Sequence, residues 1–371
     1  MNLPPDTIVL VRCELFTAFG FGIAPTWNAM LEGRHGFTPI TRFHSDALAS
    51  CSAATASELD GCNAPSEYLL DRFTPAARDF SGERTELFVG TTVGEIEQLD
   101  NPEPRCTSDS LMEKASRRFG IPSARVLSAA CATANMEICR AAAMLRARKT
   151  DFAVLYAVDY VNEFVASGFL TLKAMTTEPC SRPYDKNRTG LLLGDGAGLL
   201  VLTRAELAEQ HKLPVLAKIS GCAMTCDAGH ITAPLEDGSQ LAAAIRCALA
   251  QAGLAPEKIG AVAGHGTGTV YNDNMELRAL HSIFHTPVPL FSTKGAVGHS
   301  LAAAGMVQTA MALRVLQTGK IPPQTSLQTP ENGAEGFVSD QVRSFDGGAV
   351  LSLSAGFGGL NAAVLLEGVA Q

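Results

Sequence analysis

The stretch VLSAACATANMEICRAAAMLRARKTD, residues 126–151, places one cysteine, Cys131, between a short β-branched run and a long alanine-rich run. If the first run is a strand and the second a helix, Cys131 lies at the amino end of that helix. Unpaired N–H groups and the positive end of the helix dipole would then stabilise a thiolate and lower the pKa of Cys131. Cysteine is also among the most frequently buried residue types. The stretch therefore allows both a nucleophile and a small structural residue.

Two loops that contain histidine favour the nucleophile. GHGTGT (264–269) follows a strand-like run and contains His265, and STKGAVGHSLAAAG (292–305) contains Lys294 and His299 in a loop that opens a helix. Glycines beside both histidines allow a ligand to approach the backbone closely. A lone loop histidine is usually a surface group, but two at strand ends beside glycine and threonine indicate a site.

Two other groups contain cysteine or histidine residues, which are common metal ligands. Cys222 and Cys226 precede His230, but no second ligand pair accompanies them, so a strand that leads into a loop is the preferred interpretation. His281 and His285 stand four apart on a predicted helix with no third ligand in view, and we interpret them as solvated helix positions. No metal site is predicted.

Short β-branched runs alternate with alanine-rich helical runs along the chain. This alternation predicts mixed sheets covered by helices. Helices with small apolar residues on every side are predicted to form a central layer buried between two sheets. Gly253 and Gly319 stand where helix C-caps are expected. Residues 45–83 are predicted to be the least regular part. Strands are predicted at 86–92, 151–159, 196–204, 258–266, 289–294 and 349–357, and helices at 24–33, 133–148, 238–253 and 300–319.

Composition limits the class of protein. With 371 residues the chain exceeds one ordinary hydrophobic core, so two cores or two fused halves are expected. A net charge of −8 argues against nucleic acid or an anionic membrane as the main partner. The first apolar run carries Arg12 and Glu14 and is a poor signal or membrane span. Ten scattered cysteines predict reduced thiols in a cytoplasmic protein.

Five ordered motifs resemble the β-ketoacyl-acyl-carrier-protein synthases of the elongating type. The resemblance runs from about residue 8 to the C-terminus. It implies the thiolase fold, an α/β fold of two similar halves stacked as α/β/α/β/α, with boundaries expected at 1–205 and 206–371, and a dimer formed through a strand beside the nucleophile segment. The motifs are SAACAT, SRPYDKNRTGLLLGDGAG, HGTGT, STKGAVGH and AGFGGLN.

The resemblance assigns catalytic roles by position. Cys131 is similar to the acyl-accepting nucleophile, and His265 and His299 are similar to the two catalytic histidines. Lys294 matches the lysine of the STK motif and Glu276, in NDNMEL, matches its acidic partner; both are expected to orient His299 and to set its protonation state.

Further matches concern the substrate. Thr267 and Thr269 match threonines that contact the phosphopantetheine arm, and Phe357 matches the gating residue, whose N–H with that of Cys131 would form an oxyanion hole. Ala355 and Gly358 are assigned to substrate binding. Asp185, Arg188 and the glycines of GDGAG match a structural loop, and no chemistry is assigned to them.

The implied reaction is a decarboxylative Claisen condensation. The Cys131 thiolate takes an acyl group from a thioester, malonyl-acyl-carrier protein loses CO₂, and two histidine N–H donors stabilise the enolate that attacks the acyl group. No resident cofactor or metal is expected, because the acyl-carrier protein delivers the phosphopantetheine arm. The expected partners are that carrier protein and a second ketosynthase-like subunit, identical or related, with no nucleic acid and no membrane.

Departures from the family pattern concern the acyl pocket. Ala132 replaces a small hydroxyl residue, Ala355 stands where an aromatic is common, and Leu360 replaces a usual threonine. The segment between GTTVGE (90–95) and Cys131 is short. These departures argue against a housekeeping role in fatty-acid synthesis. HGTGTVYNDNME (265–276) resembles ketosynthases of specialised pathways, such as aryl-polyene or type II polyketide systems, and a fatty-acid pathway stays open.

Three other classes of protein share part of this pattern. A thiolase needs a second cysteine in the C-terminal glycine-rich loop, and SAGFGGLN has none. An initiating, third-type ketosynthase would use asparagine where His299 stands. A non-catalytic subunit similar to a chain-length factor keeps the fold but loses the nucleophile, whereas this chain keeps Cys131 together with both histidines. That subunit remains the alternative to an enzyme.

Overall fold

The elements of the protein are taken from a computed structural model that describes residues 3–82, 84–99 and 107–369. Its strands are β1 (Ile8–Thr17), β2 (Gly20–Phe21), β3 (Phe37–Pro39), β4 (Ser52–Ala54), β5 (Thr85–Gly90), β6 (Ala124–Leu127), β7 (Phe152–Asp159), β8 (Gly196–Arg204), β9 (Ala217–Cys226), β10 (Ile259–Ala263), β11 (Leu290–Phe291), β12 (Lys320–Ile321), β13 (Arg343–Ser344), β14 (Ala349–Gly356) and β15 (Leu360–Glu367). Its α-helices are α1 (Ile23–Leu31), α2 (Pro65–Arg78), α3 (Ser108–Phe119), α4 (Thr133–Arg146), α5 (Glu163–Thr171), α6 (Ala205–Gln210), α7 (Ser239–Ala252), α8 (Val270–His281), α9 (Lys294–Val297) and α10 (Ala304–Thr318).

Eleven of the described strands form one mixed sheet, and its strand order repeats. Outward from β1 the order is β8, β7, β5, β6, and outward from β9 it is β15, β14, β10, β11, with β2 added beside β1. In both series two antiparallel pairings are followed by two parallel ones. β1 and β9 join the series through the pairs Val9↔Lys218 and Leu10↔Ala217. Two halves of the same topology are therefore present, and the boundary expected at residue 205 stays a prediction.

Five layers result from the packing of helices on the two series of strands. Helices α4 and α10 share one core with strands of both halves, including Ile138, Met311, Leu200 and Val364. Helices α2 and α3 cover the outer face of the first half, and α7 and α8 cover that of the second. The predicted α/β/α/β/α stack with a buried central layer is confirmed.

The two central helices approach closely near their amino ends. A Cβ on Gly305 would lie 2.7 Å from Asn135 Oδ1 and 3.0 Å from Ala134 Cβ, so a larger residue there would push α10 away from α4. Cys131 comes just before α4, and His299 comes shortly before α10. The contact of the helices therefore brings the segments that precede them to one place.

Most predicted elements are present, and two predictions are wrong. Gly253 and Gly319 end α7 and α10 with φ of 65° and 67°, as predicted for C-caps. Residues 45–83 were expected to be the least regular part, but they contain α2, which begins at Pro65 and keeps Pro75 inside it. His285 does not share a helix with His281, because α8 ends at His281, whose Nε2 lies 2.7 Å from Gly333 O.

Glu137 is a fully buried carboxyl in α4, and neither of its oxygens has a hydrogen-bond partner. Burial raises the pKa of Glu137 well above 4.5, so the carboxyl is protonated in the folded protein. Glu137 is the fifth residue of α4, and Gln308 holds the same place in α10, where its amide donates to the carbonyls of Gly264 and Leu353. An amide is therefore a natural neutral substitute for Glu137.

Glu137→Gln is expected to stabilise the protein increasingly as the pH rises. The unfolded chain releases the Glu137 proton above about pH 4.5 while the folded protein retains it, so the free energy of unfolding falls from that pH upwards. Removing this pH-dependent penalty should raise the free energy of unfolding more at pH 8 than at pH 5. Denaturant titrations at both pH values measure the difference. Glu113→Gln, at an exposed position of α3, is the control, and an equal effect of Glu137→Gln at both pH values would refute the expectation.

Candidate active site

The backbone around Cys131 forms a strained turn between β6 and α4. Ala130 has a φ of 48°, a left-handed conformation that costs about 1–2 kcal/mol for a residue with a Cβ. Thr133 Oγ1 holds the turn by accepting from Ala129 N at 2.8 Å and donating to Ala130 O at 2.7 Å. The predicted strand-to-helix position of Cys131 is confirmed.

The end of strand β14, which belongs to the other half of the chain, packs against this turn. A Cβ on Gly356 would lie 3.0 Å from Ala129 O and 3.1 Å from Ala132 N. The absence of a side chain at Gly356 therefore lets the end of β14, and with it Phe357, lie beside Cys131. Sequence reasoning missed Gly356, although the glycine in AGFGG was visible.

The thiol of Cys131 is buried, with 6% of its surface exposed. Burial raises the pKa of Cys131 to about 12, while the Lys294 charge acts in the opposite direction. The prediction of a net lowered pKa is wrong: a backbone hydrogen bond and the Lys294 charge do lower the pKa of Cys131, but loss of hydration on burial outweighs both.

His265 is positioned by a buried network beneath the HGTGT loop. Glu276 accepts hydrogen bonds from the backbone N of His265 at 2.6 Å, from Gly266 N at 2.8 Å, and from Tyr184 Oη at 2.8 Å. Lys294 Nζ donates to His265 O and lies 3.3 Å from His265 Nδ1. The expectation that Lys294 and Glu276 orient His299 is wrong: both contact the His265 segment.

His299 is positioned by different groups. Its Nδ1 accepts from Leu301 N at 3.2 Å, and its backbone N donates to Leu192 O at 2.8 Å. Asp159 fixes the next turn of the chain by accepting from Ala302 N at 2.9 Å, and burial raises the pKa of Asp159 to about 6. The LLLGDGAG loop thus supports His299, a structural contact that the motif alone did not reveal.

Both imidazoles are neutral and share one tautomer. Burial lowers the pKa of His265 and of His299 well below 6.5, and the Lys294 charge adds to both shifts. Because an ammonium and a backbone N–H are donors, both Nδ1 atoms accept, which leaves the proton of each ring on Nε2. The ring centroids lie 5.5 Å apart with planes at 84°. The pair can therefore offer two N–H donors to one oxygen that gains negative charge.

One cavity of about 350 Å³ brings most of the predicted residues together. Its walls include Cys131, His265, Thr267, Thr269, His299, Ala355 and Phe357. Lys294 and Glu276 lie behind the wall, in the network under His265. Gly358 is not part of the wall, and its N–H donates to Ile231 O, so its assignment to substrate binding stays a prediction.

Phe169 of α5 is a wall residue that sequence reasoning missed. Its ring stacks on Phe357, with centroids 5.7 Å apart and planes at 25°. A substrate that displaces Phe357 would have to break this contact. No pattern in the α5 sequence distinguishes Phe169 from an ordinary apolar helix residue.

The alternative ligand groups do not assemble. His230 Nδ1 accepts from Ala233 N at 3.0 Å, and Cys226 Sγ lies 3.5 Å from Gly358 O, so each has its own local partner. Residues 3–82, 84–99 and 107–369 contain no cluster of three or more metal-binding side chains. Within the same ranges, no helix has the length and apolar character needed to span a membrane.

Two family models match the chain on either side of the β8–β9 connection. The model described as "Beta-ketoacyl synthase, N-terminal domain" matches residues 76–208, and "Beta-ketoacyl synthase, C-terminal domain" matches residues 216–328. A 3-oxoacyl-acyl-carrier-protein synthase 2 of Vibrio harveyi is 30% identical over 416 residues, covering 98% of this chain and 99% of the relative. The corresponding protein of Coxiella burnetii is 27% identical over 412 residues, covering 98% of each. Both alignments are longer than this chain, so the relatives contain residues that it lacks.

Solved structures share the fold over nearly the whole chain. An ishigamide ketosynthase/chain length factor has a TM-score of 0.88 at 27% identity, covering 99% of this chain and 100% of that chain. A type II polyketide synthase acyl-carrier protein in complex with its ketosynthase has a TM-score of 0.87 at 20% identity, covering 99% and 100%. The second likeness shows the fold alone.

Proposed function

Because this chain belongs to the β-ketoacyl synthase family, it is an acyltransferase, and we propose that Cys131, His265 and His299 carry its decarboxylative condensation. The observation that supports these roles is the meeting in one cavity of a buried thiol and two imidazoles whose pKa values burial lowers well below 6.5.

The first step is acyl loading. The Cys131 thiol attacks the thioester of an acyl-carrier protein, a bond forms between Cys131 Sγ and the acyl carbon, and the carrier's pantetheine sulfur leaves with the proton. The high pKa of Cys131 means that the resting protein holds little thiolate. The N–H groups of Cys131 and Phe357 stabilise the negative oxygen during attack.

The second step uses the histidines. Malonyl-carrier protein loses CO₂, and the electron pair moves onto the thioester oxygen, where two Nε2–H donors face it. The resulting carbanion attacks the acyl carbon, Cys131 Sγ departs and regains a proton, and the β-ketoacyl group remains on the carrier. The cavity holds the reacting atoms away from bulk water.

The partner molecules follow from this cycle. An acyl-carrier protein supplies both substrates on its phosphopantetheine arm, which passes Thr267 and Thr269, and no resident cofactor takes part. Among the described strands β6 ends the sheet beside the nucleophile turn, so an identical or related subunit pairs there. We place this cycle in the cytoplasm, where thiols stay reduced; Cys13, Cys51 and Cys131 are among the free cysteines.

The acyl group is proposed to be rigid or conjugated, as in a specialised pathway. Ala355 lines the cavity, and an aromatic side chain at this position would fill part of the cavity with its ring. Alanine therefore leaves that volume for the acyl group. Ala355→Phe should therefore lower turnover on conjugated acyl-carrier proteins about tenfold to a hundredfold relative to short saturated ones. Competition between two acyl-carrier proteins measures the ratio for both proteins. An unchanged ratio would show that Ala355 does not shape the pocket.

A single-turnover experiment tests the catalytic function against a chain-length-factor-like role. The chain is acylated with hexanoyl-acyl-carrier protein, separated from it, and then mixed with malonyl-acyl-carrier protein. An enzyme becomes acylated and passes the hexanoyl group into a β-ketoacyl product. A subunit that only shapes a partner's pocket does neither by itself.

A further inference from the structure

The buried carboxyl of Asp159, at the end of β7, contacts two loops that lead to the cavity. Its Oδ2 accepts from Ala302 N at 2.9 Å, in the turn that follows His299. Its Oδ1 accepts from Thr91 Oγ1 at 2.8 Å, just after β5. Asp159 is 2% exposed and belongs to a strand that pairs with both β5 and β8. One carboxyl therefore joins the end of β5 to the His299 turn.

The contact with β5 extends to the nucleophile turn. Ser128, three residues before Cys131, donates through its Oγ to Thr91 O at 2.8 Å. Thr92 adds two hydrogen bonds to Asp159, from its backbone N at 3.1 Å and from its Oγ1 at 2.9 Å. Asp159 thus fixes the segment after β5, and this segment in turn holds the start of the Cys131 turn.

The contact with Ala302 completes the turn that carries His299. The N–H of Leu301 is accepted by His299 Nδ1 at 3.2 Å, and the next N–H, that of Ala302, is accepted by Asp159. Ala302 is fully buried, so without the carboxyl its N–H would have no partner and no water. The turn would then relax, and Leu301 N would no longer hold the imidazole in its present direction.

Both turns contain strained backbone that needs such support. Ala130 has a φ of 48° and Leu301 has a φ of 49°, and each stands three residues before the start of a central helix, α4 or α10. Left-handed residues that carry a Cβ persist only where their surroundings hold them. The groups that contact Asp159 support both of these turns.

A carboxylate suits this place because each of its contacts is a donor. Its two oxygens accept from the hydroxyls of Thr91 and Thr92 and from two backbone N–H groups. Burial raises the pKa of Asp159 to about 6, so the group is ionised at pH 8. An asparagine of the same size would turn its own NH₂ toward one set of these donors, and those contacts would open.

We propose that Asp159 is a positioning residue that fixes His299 relative to Cys131, and that condensation depends on it while acyl loading does not. The inference rests on the proposed function, in which loading uses Cys131 and the enolate also needs His299. Asp159 is not part of the cavity wall and acts through Ala302. The nucleophile turn has a second support in Thr133, so loading survives the loss of Asp159.

Asp159→Asn tests the proposal through three rates measured on the full chain at pH 8. These are formation of the acyl adduct from hexanoyl-acyl-carrier protein, release of CO₂ from malonyl-acyl-carrier protein, and formation of β-ketoacyl product from the acylated protein. We expect the first rate to stay within about twofold and the other two to fall about tenfold, because a small displacement of a catalytic group is costly. The KM for malonyl-acyl-carrier protein should not change, so the loss is one of kcat.

Asp151→Asn is the matched control, because Asp151 lies just before the opposite end of β7. It forms ion pairs with Arg84 and Arg204, so its replacement weakens the fold without touching either turn. The three rates should keep their ratios in this variant. Thr92→Val removes one donor to Asp159 and leaves the carboxylate in place. It should lower CO₂ release and product formation in the same direction to a smaller extent, and it decides the matter if Asp159→Asn does not fold.

The proposal is overturned if Asp159→Asn or, where that variant does not fold, Thr92→Val lowers loading and condensation equally or leaves both unchanged. An unaltered protein that accepts the hexanoyl group but never condenses would overturn the proposed function, and the role of Asp159 with it.

Discussion

Cys131→Ala is expected to abolish transfer of an acyl group from acyl-carrier protein to this protein. The thiol of Cys131 is the sulfur that the turn between β6 and α4 presents to the cavity, and alanine offers no atom that can form a thioester. Because the side chain is small and lies at the pocket wall, the fold should persist. Intact-protein mass spectrometry after incubation with an acyl-carrier protein measures the acyl adduct.

Cys51→Ala is the matched control, because Cys51 is a buried cysteine of the same apolar cluster as Cys131. It should acquire the adduct as the unaltered protein does. Decarboxylation of malonyl-acyl-carrier protein should survive in Cys131→Ala, because both histidines remain. An adduct that maps to another cysteine would remove Cys131 from the role of nucleophile.

His299→Ala is expected to separate loading from condensation. The variant should still be acylated at Cys131, because the turn and the end of β14 are intact. It should lose one of the two Nε2–H donors to the enolate oxygen, and decarboxylation and condensation should fall by roughly 10²–10³-fold. Release of CO₂ and the yield of β-ketoacyl product, measured beside the acyl adduct, give the two rates.

His281→Ala provides the comparison, since His281 lies at the exposed end of α8 and contacts Gly333 O. It should leave both rates unchanged. If His299→Ala instead loses acylation and keeps decarboxylation, the two histidine-dependent steps have been assigned the wrong way round.

Local patterns in the sequence are sufficient to predict three residues of the cavity, and the family resemblance adds four more: Thr267, Thr269, Ala355 and Phe357. Cys131, His265 and His299 each follow a strand-like run, and the repeated α/β alternation places such positions at one edge of the layers. Gly253 and Gly319 identify helix ends because their left-handed backbone favours glycine. Each of these features depends on a few neighbouring residues, so it can be predicted from the sequence of this one chain.

Properties that depend on distant parts of the chain could not be predicted. Lys294 lies five residues before His299 in sequence, yet the turn at α9 directs it to His265. The pKa of Cys131 depends on burial by both halves, which no local pattern reports. Phe169 becomes a wall residue only because α5 packs beside the end of β14.

We propose that this chain forms carbon–carbon bonds without a second, catalytic subunit, and the ratio of CO₂ to product tests this most directly. The purified chain is mixed with an acyl-carrier protein charged with a medium-length acyl group and with malonyl-acyl-carrier protein labelled with ¹³C. We predict one CO₂ for each β-ketoacyl-acyl-carrier protein, with two labelled carbons retained in the product, and no product from Cys131→Ala. Release of CO₂ without product, or product only when a second, catalytic subunit is added, would contradict the claim.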